Sequence, residues 1–252
     1  MTEPIIDARL PASSPPADAD ASTADGEAGS HVVSGLLAIA VTLSTMLAIV
    51  ALAVLMLMTP LYMHGALDRA GSAGFLGTSA TFAHDVSDAT VSELSLGPGT
   101  VVDPPLSDGR IDFYDASEAS HLRDARAVLY GLLGLSALGV VILAAGFIRS
   151  RRRARYWRAV AAGSGILGVA FIVIGALFLV AFDAAFTLFH EIFFPGGNWS
   201  FDFTTQRLVQ LYPIPFWEEA TTVLGAIVIG VSAVTWFLAR RRSRRLAAAG
   251  AA

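Results

Sequence analysis

Four stretches of this chain are apolar over lengths that suit a lipid bilayer. Residues 32–58 carry no charged side chain over 27 positions, more than the roughly 20 residues a helix needs to cross the hydrocarbon core. Further runs occupy 127–148, 160–189 and 221–238; the third is apolar to residue 182 and is read as continuing in helix to about 189. No backbone group can be left to water in such a medium, so each run is expected to be a helix whose hydrogen bonds close on themselves. A charged fraction of only 15% and a mean hydropathy of +0.61 fit this reading and exclude an ordinary soluble domain. The expected fold is all-α and membrane-embedded: a four-transmembrane-helix bundle, residues 31–252, with a small extracytoplasmic head built from 59–126 and 190–220.

Residues 1–30 are rich in Pro, Ala, Ser and Asp and nearly lack large apolar side chains after Ile6. They are expected to form a disordered acidic tail. The tail lacks the basic region of a cleavable signal peptide, so the first apolar run is expected to be retained.

Orientation follows from arginine, because basic residues beside a membrane helix are held on the cytoplasmic side. One block, Arg149, Arg151, Arg152, Arg153, Arg155 and Arg158, lies between the second and third runs; another, Arg240, Arg241, Arg242, Arg244 and Arg245, follows the fourth. The two remaining connections together hold only Arg69, Arg110, Arg123, Arg126 and Arg207. Both termini are therefore expected in the cytoplasm of a multi-pass plasma-membrane protein, with 59–126 and 190–220 outside. The arginine blocks are read as topology determinants and contacts for anionic lipid; no nucleic-acid partner is expected. The Gly, Pro, Asp and Ser punctuation of 59–126 suggests an irregular head.

The chain has no cysteine, and all 17 of its basic residues are arginine. Disulfides, thiolate metal sites, cysteine nucleophiles and a Glu-Lys-Cys acyltransferase mechanism are thereby excluded. What remains for chemistry is histidine and carboxylate. The topology puts His121, just before the second run, and His190, at the end of the third, at the same outer membrane depth. A helix N-terminus disfavours a protonated imidazole and a C-terminus favours one, so His121 is read as the neutral base and His190 as the acid. Asp183, Thr187 and His190 follow i, i+4, i+7 spacing on one helix face, and an acid at this depth is expected to be functional or paired. Interfacial histidines also serve as amphipathic anchors, and Asp183 as a structural partner. Phe182, Phe186, Phe189, Phe193, Phe194, Trp199, Phe201, Tyr212, Phe216 and Trp217 make an aromatic set of the kind found at membrane interfaces. His31, His64 and His84 are read as ordinary surface or interface residues. No zinc-protease motif is present, since the His190-Glu191 helix lacks a second histidine.

Two blocks carry a family resemblance. One is Phe182-Asp183-x-x-Phe186-x-x-x-His190-Glu191-Ile192-Phe193-Phe194-Pro195-x-Gly197-Asn198-Trp199-x-Phe201, followed by Leu211-Tyr212-Pro213-x-x-Phe216-Trp217; the other is His121-x-x-Asp124-x-Arg126. The chain resembles the bacterial lipoprotein intramolecular transacylases. That resemblance implies an acyltransferase that moves the sn-2 acyl chain of a diacylglyceryl-cysteine lipoprotein onto the α-amine of the same cysteine. It implies His121 and His190 as the catalytic pair, supported by Asp124, Arg126, Asp183 and Glu191. Phe194, Asn198, Trp199 and Phe201 are expected to line the substrate. The expected partners are a diacylated lipoprotein and membrane lipid, with no cofactor and no metal. The acidic tail, and the lack of an acidic residue in Thr204-Thr205-Gln206-Arg207, depart from the family pattern.

Intramolecular transfer needs no covalent enzyme intermediate, because holding amine beside ester supplies much of the rate. A base for the amine proton and an acid for the departing alkoxide complete the chemistry. Two other readings fit the same residues. One is a metal-dependent lipid hydrolase or oxidoreductase using His121, Asp124 and His190 as ligands; the other is a non-catalytic membrane scaffold. A transporter is disfavoured by the absence of repeats and by a single acid within the spans.

Overall fold

The computed structural model describes residues 18–97 and 113–250, with backbone alone for 18–33. It divides into two compact units, Met1–Ala38 and Ile39–Ala252. In the first, helical backbone begins at Asp18, further toward the N-terminus than hydropathy indicates. The rest of the tail, 1–17, lies outside the described residues.

The described residues form only helices: α1 Asp18–Leu57, α2 Pro60–Ala70, α3 Ser72–Leu76, α4 Ala80–Ser95, α5 Ala116–Ser150, α6 Ala154–Val180, α7 Phe182–Phe193, α8 Arg207–Leu211 and α9 Ile214–Ala249. Four contain segments long and apolar enough to cross a membrane: Ser34–Leu57, Ala116–Ser150, Ala154–Val180 and Ile214–Ala249. The expected spans lie within or across these helices, and α5 and α9 extend well beyond their apolar centres.

Helix packing in lipid relies on close approach through small residues, since lipid tails are as apolar as leucine. The second unit is built this way. A Cβ on Gly163 of α6 would run into the Thr42 carbonyl of α1 and stand 3.1 Å from the Thr45 Cβ. The Thr42 hydroxyl donates to the Ala159 carbonyl at 3.2 Å. On its other side α1 meets α5: a Cβ on Gly139 would lie 3.3 Å from the Ser44 Cα, and the Ser136 hydroxyl donates to the Leu47 carbonyl at 3.2 Å. Ile49, Ala53, Leu167 and Val228 join α1, α6 and α9 in one core. Outward-facing Val141, Val173 and Phe237 are 63%, 65% and 58% exposed, a pattern that suits a hydrocarbon surround and not water.

The third run does not continue as one helix. At Ala181 the backbone leaves the helical region, with φ −143° and ψ 59°, and α7 restarts at Phe182. Hydropathy is continuous across this point, so nothing in the apolar pattern marks the break.

Segment 59–126, where it is described, is mostly helical and not irregular, with short connections such as 77–79 and 113–115 between its helices. Its Pro and Gly residues punctuate helices: Pro60 opens α2, left-handed glycines Gly71 and Gly77 close α2 and α3, and the Ser79 hydroxyl accepts the Phe82 N–H to cap α4. Met63, Leu67, Leu76, Val86, Leu122, Leu208, Leu211 and Phe216 form one core over the ends of α5 and α9. The Arg69 guanidinium donates to both carboxylate oxygens of Glu219, at 2.8 and 2.6 Å, tying α2 to α9. His64 and His84 are more than surface residues. Their rings stack at 4.2 Å, His64 bonds Asp88 at 2.9 Å and His84 bonds Asp68 at 2.8 Å. Two His-x-x-x-Asp pairs, one on α2 and one on α4, thus interlock reciprocally.

The contact at Gly163 yields a direct test. Gly163→Ala is expected to destabilise the protein in detergent by about 1–3 kcal/mol through overpacking, read as a lower Tm. Gly175→Ala, on the same helix with no neighbour within 4 Å, is expected to leave Tm unchanged or raise it.

Candidate active site

The site is assembled where α5 begins and α7 ends. Asp115 caps α5, its carboxylate accepting from the N–H groups of Ser117 and Glu118 at 2.8 and 2.9 Å. Glu118 closes a capping box by accepting the Asp115 N–H at 2.7 Å. Its second carboxylate oxygen accepts the Leu208 N–H at 2.6 Å. Glu118 is only 1% exposed, and it fastens the first turn of α5 to the start of α8. One turn further on, this anchored helix carries His121.

The His121 and His190 rings lie 5.9 Å apart, centroid to centroid, and 26° from parallel. Phe194 packs 4.6 Å from His121 and 5.5 Å from His190. Phe201 closes on His121 at 5.5 Å and Trp199 on His190 at 5.1 Å, while Phe186 covers His190 from below at 4.0 Å. Here the aromatic residues enclose two imidazoles instead of forming only a surface belt. His190 is 8% exposed. Its Nδ1–H donates to the Phe186 carbonyl, at 2.7 Å, which leaves Nε2 with the lone pair. Burial holds this imidazole below its ordinary value of 6.5, and the bond to Phe186 offsets part of that.

Asn198 joins the turn after α7 to α5. Its amide nitrogen donates to Asp124 at 2.7 Å and to Ser120 at 3.2 Å. Two buried polar atoms in this region have no hydrogen-bond partner, the Nδ1 of His121 and the Oδ1 of Asn198.

The other expected residues stand apart from the ring cluster. Arg126 points to the end of α4, donating to the carbonyls of Glu93, at 2.8 Å, and of Gly97, and to the Tyr130 hydroxyl, at 2.8 Å. That is a cation closing a helix C-terminus. Asp183 sits in the first turn of α7 and is exposed, as is Glu191. The i, i+7 spacing keeps Asp183 on the His190 side of the helix, but two turns of rise, about 10 Å, carry it beyond the cluster. Among the described residues no three His, Asp or Glu side chains are arranged to hold a metal ion. Glu118 and Ser120 were not singled out by sequence reasoning. The Asp115-x-x-Glu118 spacing is a capping-box signature and could have identified the first; Ser120 has no such signal.

Four helices long and apolar enough to cross a membrane, with paired imidazoles in an aromatic enclosure, define the class as an all-helical membrane protein. The family model described as "Lipoprotein intramolecular transacylase Lit" matches residues 102–217, which include both histidines, and the resemblance to that family is thereby shown. An uncharacterized protein of Aquifex aeolicus (strain VF5) is 26% identical over 124 residues, covering 48% of this chain and 54% of that protein. The match thus spans about half the length of that curated relative. The fold is similar to that of the membrane integral lipoprotein intramolecular transacylase Lit from Bacillus cereus, with a TM-score of 0.68 at 20% identity, covering 85% of this chain and 98% of that one. Two further structures of the Bacillus cereus protein, with one histidine replaced by arginine or by alanine, match with a TM-score of 0.66 at 17% identity; they cover 88% and 87% of this chain and 97% and 98% of theirs.

Replacing Glu118 with Leu leaves the Asp115 and Leu208 N–H groups without their acceptor. A loss of about 1–3 kcal/mol per stranded donor is expected, seen as a lower Tm, whereas exposed Asp85→Asn is expected to leave Tm in place.

Proposed function

We propose that this protein is a lipoprotein intramolecular transacylase, transferring the sn-2 acyl chain of a diacylglyceryl-cysteine lipoprotein to the α-amine of that cysteine at the outer membrane face. The observation that carries the reading is the enclosed His121–His190 pair, 5.9 Å apart, within a segment that matches the Lit family.

The amine nitrogen attacks the ester carbonyl carbon and its proton passes to an imidazole. The resulting tetrahedral intermediate expels the glycerol oxygen, which takes up a proton. One N–C bond forms and one C–O bond breaks, leaving an amide and a free sn-2 hydroxyl. Helix-end electrostatics alone made His190 the acid. Burial acts the other way and outweighs the Phe186 bond, keeping the ring neutral, while that bond occupies Nδ1–H and leaves Nε2 free, so His190 is assigned as the base that accepts the amine proton. His121, its ring 5.9 Å away, is placed to take that proton up at its own Nε2 and return it to the leaving oxygen. Phe194, Trp199 and Phe201 form the apolar wall against which acyl chains lie, and exclusion of water there strengthens each polar contact.

Outward placement is supported by the arginines. The α5–α6 turn and the tail of α9 carry the two blocks, and the Ser243 hydroxyl, 3.2 Å from the Ala154 carbonyl, brings them side by side. His121 lies at the opposite end of α5 and His190 on α7, beyond the far end of α6, and basic residues favour the cytoplasm.

Mass spectrometry of lipoprotein N-termini from cells with and without this protein is expected to find an acyl chain moved from glycerol to nitrogen only when it is present. His121→Ala and His190→Ala are each expected to lower the rate about 10²–10⁴-fold with expression unchanged; full activity in both would sink the acid–base reading. Below its pKa the His190 ring is protonated and accepts nothing. The wild-type rate should therefore rise with pH to a plateau, with its midpoint under the ordinary imidazole value of 6.5. A cysteine-free chain also permits a clean topology test: Ser200→Cys is expected to react with a membrane-impermeant maleimide on intact cells, and Arg152→Cys only after permeabilisation.

A further inference from the structure

Two unsatisfied atoms mark an incomplete contact in the site. Buried polar atoms without a partner are rare and each requires a physical account. Here an imidazole nitrogen, His121 Nδ1, and an amide oxygen, Asn198 Oδ1, are both orphaned. One can donate and the other only accepts. The orientation of the Asn198 amide is not arbitrary, because its nitrogen is held by the Asp124 carboxylate at 2.7 Å and by Ser120 at 3.2 Å. A carboxylate takes the NH₂ end, so the oxygen must face away from it. Ser120, His121 and Asp124 belong to the same two turns of α5, and the Asn198 side chain interacts with His121.

We propose that Asn198 is the positioning residue of His121: its Oδ1 accepts the imidazole Nδ1–H, its nitrogen is anchored on Asp124, and His121 is thereby fixed as the Nδ1–H tautomer with Nε2 facing the reaction. The two histidines then obey one rule. His190 spends Nδ1–H on the Phe186 carbonyl and His121 spends it on the Asn198 carbonyl, so both present Nε2. This assigns Asn198 to orientation of the enzyme's own imidazole, not to substrate. The use of Nε2 in catalysis rests on the transacylase reading, but the tautomer itself does not.

The test is spectroscopic. Full-length protein labelled with ¹⁵N-histidine in detergent micelles gives the tautomer of each ring from its long-range ¹H–¹⁵N pattern, with the His121 signals identified by their loss in His121→Gln. Wild type is expected to show His121 with a protonated Nδ1 and a bare Nε2. In Asn198→Ala that pattern should give way to the Nε2–H form that free imidazole prefers. Where a lipoprotein substrate is turned over, Asn198→Ala should lower kcat about 10²-fold by misorientation with KM within twofold. If Asn198→Ala does not fold, Asp124→Ala releases the anchor and should move the same signals.

An Nε2–H His121 in wild type overturns the proposal, as does an Nδ1–H pattern that survives the variant. A tautomer that shifts as expected in a protein with no transacylase activity would sustain the positioning role and reject the function. Transacylase activity with an unmoved tautomer would do the reverse.

Discussion

In hydrocarbon, a helix gains nothing from hiding leucine against leucine, and its neighbours must be held by fit. The four long helices meet this constraint at positions with almost no side chain. Gly163 lies against the Thr42 backbone and Gly139 against Ser44, so α1 is clasped between α5 and α6 at near-backbone distance. Serine and threonine hydroxyls add bonds between carbonyls and neighbouring helices without exposing charge to lipid. Everything at the histidine end depends on this frame, because α5 carries His121 out of the bundle and α6 delivers the chain to His190.

Above the frame, precision comes from polar groups sealed in a small apolar core. Glu118 satisfies a backbone donor on its own helix and another at α8. Arg126 caps α4, and Asn198 ties the turn after α7 back to α5. None of the three is a nucleophile or a base, yet together they fix the helix that holds one imidazole against the loop that encloses it. The break at Ala181 contributes as well, since it frees α7 from the line of α6 and lets Phe186, His190 and Phe194 share one cluster.

The sequence shows the membrane class and the four apolar helices, because uncharged length alone dictates them. It also shows that His121 and His190 sit at one end of the bundle. It does not show the Ala181 break, since apolarity runs across it, nor the helicity of 59–97, whose glycines and prolines signal caps as readily as loops. Spacing placed Asp183 on the His190 face but could not reveal that nothing covers it two turns away. Arg126 reads as a site cation until α4 is in place to receive it, and His64 and His84 look unremarkable until α2 and α4 cross. In each case the missing information is a contact between residues far apart in the chain, which local pattern does not encode.

Because it is cut from α6, α7 is a short helix with Leu188, Phe189, Ile192 and Phe193 turned outward, between 41% and 63% exposed. Such a helix lies along a membrane surface more readily than through it. For the proposed reaction this sets the dimension in which substrate and enzyme meet. A lipoprotein arriving beside α7 is already dissolved in the same leaflet, so encounter is two-dimensional diffusion. Turnover should then follow the mole fraction of lipoprotein among the lipids and not its amount per volume of solution, and diluting the membrane with inert lipid should slow the protein as surely as removing substrate.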